Sequence, residues 1–159
     1  MKDSLEFIYK EQKELSHFGG IAALLGWDQM TYMPQKGSEG RADQLSLISR
    51  LVHERVTSET LYQHLKRLHN AQSSLSEKDR LVVKKLFQDV EKARKIPSAF
   101  VEKMVKTTSI AYTVWQEARE KNNFSLFRPH LEEIITLQKE YCEYVNLPGR
   151  VIPTSIVIE

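Results

Sequence analysis

Apolar side chains recur along this chain at steps of three, four and seven, the spacing that lines one face of an α-helix. Across residues 4–25 the series Leu5, Ile8, Leu15, Phe18, Ala22 and Leu25 makes one such face, with Gln12 filling the gap. Gly19-Gly20 either loosens the middle of that helix or lets a second helix come close. Pro34 and Gly37 break the pattern. Ser38 is placed to cap a second helix, to about residue 56, with Ala42, Leu45, Ile48, Leu51 and Val52 inward. Ser58 caps a short third helix through Leu61, Leu65 and Leu68, and residues 70–74 read as a loop. Ser76 with Asp79 resembles a capping box with a shortened acid. It opens a fourth helix that faces Val82, Leu86, Val90 and Ala93 inward.

Pro97 fixes its own φ and biases Ile96 away from helix, so a break falls there. A fifth helix carries Phe100, Met104, Thr108, Ala111, Trp115 and Ala118, and Asn122-Asn123 ends it. A sixth starts near Ser125, tolerates Pro129 in its first turn, and presents Leu131, Ile134, Ile135, Gln138, Tyr141, Cys142 and Val145. Pro148-Gly149 stops it. No period-two alternation occurs before residue 150. The expected fold class is therefore all-α, an antiparallel array of five or six helices with short loops. Residues 150–159 are apolar and β-branched without helical periodicity, and stand apart from the helical region 1–149. They read as a segment that continues into a larger fold, or as the product of a truncation or frameshift.

Composition changes this picture little, but charge excludes some partners. With 23 basic and 21 acidic residues the net charge is +2, too balanced to imply nucleic acid or an anionic membrane. The cluster Lys84, Lys85, Lys92, Arg94 and Lys95 is interrupted by Asp89 and Glu91 and lacks interleaved aromatics, so it reads as a solvated face. A single cysteine, Cys142, makes no internal disulfide and sits on the inner stripe of the last helix, which points to buried packing. The absence of an apolar signal core at the start leads to a cytoplasmic expectation.

Metal catalysis is tested by spacing. Zinc sites commonly place two His at i and i+4 on one helical face. Of His17, His53, His64, His69 and His130, only His53-Glu54-Arg55-Val56-Thr57 approaches His-Glu-x-x-His, and Thr57 stands where the second His would be. The histidines are expected to be surface residues. The acidic pairs Glu132-Glu133, Asp89 with Glu91, and Glu117 with Glu120 lie among basic residues at helical spacing and read as a charged face. No catalytic and no metal-ligating residue is assigned. The run 26–34, Gly-Trp-Asp-Gln-Met-Thr-Tyr-Met-Pro, is less ordinary. Two readings stay open: Trp27 and Asp28 as a buried structural lock, or Trp27, Asp28, Thr31 and Tyr32 as the wall of a substrate cleft. Met30 and Met33 read as packing.

Three ordered matches give a resemblance. Trp27, Asp28, Thr31, Met33 and Pro34 fit a Trp-Asp-x-x-Thr-x-Met-Pro signature; Arg41, Gln44 and Leu45 fit Arg-x-x-Gln-Leu. Trp115, Ala118 and Arg119, followed by Phe124, Phe127, Pro129 and Leu131, fit a later segment. The chain thus resembles the front of the M32 family of metal-dependent carboxypeptidases, the Taq carboxypeptidase type, over roughly residues 5–147. The resemblance implies an α-helical homodimeric peptidase that removes C-terminal residues from peptides. It also implies Zn²⁺ or Co²⁺ held by a His-Glu-x-x-His pair and a later Glu, in sequence that follows the matched part. None of those ligands transfers to a residue here. The expectation is an N-terminal part without activity of its own; the alternative is a stand-alone helical protein-interaction or dimerisation module.

Overall fold

A computed structural model describes residues 1–145; the apolar tail 150–159 lies outside the described residues. Six α-helices follow in order: α1 (Lys2–Thr31), α2 (Ser38–Val56), α3 (Glu59–Asn70), α4 (Glu77–Ala93), α5 (Ser98–Glu120) and α6 (Phe124–Tyr144). No strand occurs among the described residues, and the all-α expectation stands.

Helix ends follow local chemistry. Ser58 and Ser76 cap α3 and α4, their hydroxyls accepting from the backbone N–H of Leu61 and Asp79. The α5 end is a Schellman turn. Asn122 takes φ 47°, the left-handed conformation that Asn tolerates better than most residues. The Asn123 N–H then reaches the Ala118 carbonyl at 2.8 Å. Ser38 does not cap α2: it is the first helical residue, behind a 3-10 turn over Gln35–Gly37. The first helix also runs on to Thr31, past the end expected near residue 25, because no Pro or αL residue interrupts before Pro34.

The main core joins the front of α1 to α3 and α4. Ile8, Leu61, Leu65, Leu68, Val83 and Val90 are buried together, with Leu5, Phe7 and Phe87 packed around them. The short α3 contributes three of these, at the i, i+4, i+7 spacing of a single stripe.

A second layer packs α2 on α5, and α5 on α6. The buried residues here are small: Ala42 and Ser46 on α2, and Thr107, Ser109 and Ala111 on α5. Ser46 Oγ donates to the Glu102 carbonyl at 3.2 Å, so burial does not strand it. Thr108 and Trp115, expected inward, are exposed, since the buried side of α5 carries the small residues Thr107, Ser109 and Ala111. Leu137 on α6 and Val145 at its C-cap are buried, while Ile135 and Gln138 are exposed and Cys142 is only half-buried. α6 packs chiefly on α5, with Lys92 of α4 over its Tyr141, and buries a narrow strip.

The histidines are not all surface groups. His53 is buried and its Nε2 donates to the Ile96 carbonyl at 2.7 Å, closing the α4–α5 junction onto α2. His64 bonds Ser4 Oγ at 3.0 Å and stacks on Phe7, and His69 stacks on Phe87. Each of the three is spent on packing that joins distant elements.

Candidate functional site at the α1–α2 junction

The run 26–34 begins inside α1 and crosses the break before α2. Residues Gly26 to Thr31 continue the helix for another turn and a half. The Thr31 hydroxyl donates to the Trp27 carbonyl at 2.8 Å, and the Met33 N–H to the Asp28 carbonyl at 2.9 Å, closing the last turn. Pro34 then turns the chain, and Met33 tucks beneath Gly37, 3.3 Å from where a Cβ would stand.

Arg41 holds this end in place. Its side chain is largely buried, and one guanidinium nitrogen donates to Asp28 Oδ2 at 2.6 Å. A second donates to the Leu25 carbonyl, and Nε to Gln44 Oε1 at 3.1 Å. The cation thus pairs with Asp28 while covering a carbonyl near the negative end of α1. One carboxylate oxygen of Asp28 is thereby committed to this lock.

Gln29 fixes the opposite side. It is buried, and its amide Nε2 donates to the Ser109 carbonyl at 3.0 Å while Ser109 Oγ donates to Gln29 Oε1 at 3.2 Å. This reciprocal pair ties the end of α1 to the middle of α5. Sequence reasoning missed it. The available signal was a polar Gln29 four residues after Leu25 on an apolar stripe, a position that needs a partner when buried.

The aromatic residues point the other way. Trp27 is 54% exposed and Tyr32 75%, with their rings edge-to-face at 5.5 Å. The reading of Trp27 as a buried lock is therefore corrected: Asp28 is the locked residue and Trp27 faces out. Met30 is exposed rather than packed, and only Met33 fills space. The four residues Trp27, Asp28, Thr31 and Tyr32 do lie together at one helix end. They offer an aromatic surface, with the carboxylate and the Thr31 hydroxyl already engaged.

The metal question turns on donor sets. No group of three His, Cys, Asp or Glu side chains among the described residues could hold a metal ion. At His53-Glu54 the ring is bonded to Ile96 and Glu54 is paired with Arg50 at 3.0 Å. The residues present do not fit a catalytic metal. The acidic pairs behave as a charged face: Glu117 meets Lys121, Glu132 meets Arg128, and Asp89 meets Lys85. Within the basic cluster, Arg94 is also engaged, donating to Glu59 at 2.7 Å and lying over Tyr62.

Against known proteins, the family profile described as Carboxypeptidase Taq (M32) metallopeptidase matches residues 7–151. The chain belongs to the M32 carboxypeptidase family. Among relatives, Carboxypeptidase 1 of Bacillus subtilis is 34% identical over 132 residues, and Thermostable carboxypeptidase 1 of Thermus thermophilus 33% over 135. Each match takes in 83% of this chain and 26% of the relative. The crystal structure of BsuCP superposes with a TM-score of 0.86 at 32% identity, over 89% of this chain and 29% of that one. The chain therefore spans little more than a quarter of the M32 proteins it matches. Among its described residues no helix is long and apolar enough to cross a membrane.

Proposed function

We propose that this chain supplies the N-terminal helical part of a metal-dependent carboxypeptidase that removes C-terminal residues from peptides. In this reading Trp27, Asp28, Thr31 and Tyr32 form part of the wall of the peptide cleft. The observation that carries the reading is the run 26–34, held by Arg41 and Gln29 so that Trp27 and Tyr32 are left exposed. An exposed aromatic pair on a rigid helix end suits stacking against a peptide side chain. The enzyme would act on peptides in the cytoplasm as a homodimer with Zn²⁺ or Co²⁺, without nucleic-acid or membrane partners. The metal ligands would come from outside this chain.

By itself this chain is proposed to be inactive, since His53 and Glu54 are engaged elsewhere and Thr57 stands at the second ligand position. The test is release of the C-terminal amino acid from an unblocked peptide, with Zn²⁺ or Co²⁺ added, alongside the metal content of the purified protein. No release and no stoichiometric metal is the expected result. Release abolished by a chelator would overturn the inactivity, and His53→Ala would then be the first variant to assay. One observation favours a second reading, a helical interaction or dimerisation module: α1 carries exposed Ile21, Leu24 and Trp27 on its outer side. Sedimentation as a monomer with no binding to a full-length relative would remove it.

A further inference from the structure

Among the described residues, an apolar groove runs between α5 and α6. Ile96, Phe100, Val101, Met104 and Val105 line it on one side and Tyr141 on the other, with Gln138 its one polar group and no charged side chain in its walls. Phe100 is buried, while the other apolar residues stay half-buried around an open volume of about 250 Å³. The end of α6 lies beside this groove: the Phe100 ring meets Tyr144 edge-to-face at 5.1 Å and stacks on Tyr141 at 6.5 Å. The helix ends at Tyr144 with Val145 as its C-cap, about 6 Å along the axis from Tyr141.

The sequence that follows α6 suits the groove. Asn146-Leu147-Pro148-Gly149-Arg150 carries a Pro-Gly pair, the signature of a chain reversal. Those five residues reach at most about 17 Å, enough to bring the chain back past Tyr141. Val151 to Ile158 then reads Val-Ile-Pro-Thr-Ser-Ile-Val-Ile, without a charge. Pro153 disfavours helix at Ile152. Residues two apart share a face in an extended segment. Ile152, Thr154, Ile156 and Ile158 then fall on one side, and Val151, Pro153, Ser155 and Val157 on the other. The first side is the more apolar.

We propose that residues 151–158 fold back on their own chain and seat Ile152, Ile156 and Ile158 along the α5–α6 groove as its cover. The inference concerns the packing of this chain on itself and holds whether or not the chain contributes to a peptidase. A short tether keeps the segment at an effective concentration in the millimolar range, and the association entropy that a free partner loses is avoided. A second copy is the weaker occupant, since so short a groove falls well below the roughly 20–30 residues a side that a stable interface uses.

The test is made in the full chain. Ile152→Asp combined with Ile156→Asp is expected to lower the melting temperature by several degrees. Val157→Asp, on the opposite side of the segment, is expected to leave it nearly unchanged. A second measurement locates the segment without relying on stability. In a Cys142→Ser background, Met104→Cys is combined with Ile152→Cys or with Ile156→Cys, and mild oxidation is expected to give an intrachain disulfide in at least one of the two. The same substitutions at Ile152 and Ile156 combined with Leu81→Cys, exposed on α4, should give none. An unchanged melting temperature in the double variant, an equal loss from Val157→Asp, or no intrachain disulfide with Met104→Cys would overturn the proposal. So would a disulfide that forms only between two chains, which would assign the groove to a second copy. Release of a C-terminal residue from a peptide, or its absence, bears on the carboxypeptidase reading alone and leaves the groove to be judged on melting and cross-linking.

Discussion

Trp27 and Gln29 stand two residues apart and carry opposite burdens. Trp27 is the largest side chain in the run and more than half exposed, while Gln29 is polar and buried. Truncation of an exposed residue changes stability by about 0.5 kcal/mol or less, so Trp27→Ala is expected to leave the melting curve nearly unchanged. Gln29→Ala removes both partners of Ser109 and opens space at the α1–α5 contact. It should cost about 1–3 kcal/mol, read by urea denaturation. A larger loss from Trp27→Ala than from Gln29→Ala would contradict this placement. Trp27 was visible in the sequence but its orientation was not, because a helix end can turn an aromatic inward or outward with equal local ease. The Gln29 tie was missed for the opposite reason: a polar residue on an apolar stripe signals that a partner is needed, but not that the partner lies 80 positions away.

Among the elements, α1 and α4 are joined by a polar contact that titrates. Tyr9 donates from its hydroxyl to Asp79 at 2.6 Å, and the Ser76 hydroxyl donates to the same carboxylate at 2.6 Å. The Ser76 bond first, and then the Tyr9 bond, hold the Asp79 carboxyl below the ordinary carboxylate value. A depressed carboxyl pKa adds stability that is complete above the unfolded value of about 3.9. That stability is lost as pH falls through the lower folded value. Thermal melts taken through the carboxylate range should therefore fall toward acid, and Asp79→Asn should flatten the lower part of that slope. An identical slope in the variant would show that other carboxylates dominate. The helix boundaries were largely legible, since Ser58, Ser76 and Pro97 act on their own neighbours. The inner face of α5 was not. Thr107 and Ser109 are buried without any hydrophobic signal, Ser109 where it bonds Gln29 of α1, whereas the apolar Trp115 faces out.

At the scale of the molecule, stability is concentrated where α1, α3 and α4 meet. Leu65 is fully buried in that cluster, and Leu65→Ala should cost about 2–5 kcal/mol in denaturant unfolding. Leu81 on α4 is 58% exposed, so Leu81→Ala is the matched control and should cost about 0.5 kcal/mol or less. Comparable losses at the two positions would mean that the core is not where the packing puts it. The second layer rests on small residues and polar ties, a construction that depends on close approach more than on apolar area.

The sequence by itself determined that the chain is all-α, where most of its helices begin and stop, and that its ordered motifs are those of M32 carboxypeptidases. These follow from interactions within about four residues, or from residue identity alone. Only the tertiary structure decided that Asp28 is locked by Arg41 while Trp27 faces out, and that His53 closes a junction rather than waiting for a ligand. It alone left the far side of α1 uncovered. Each of those outcomes depends on which element lies opposite, and a pattern of hydropathy carries the period of a helix but not the identity of its neighbour.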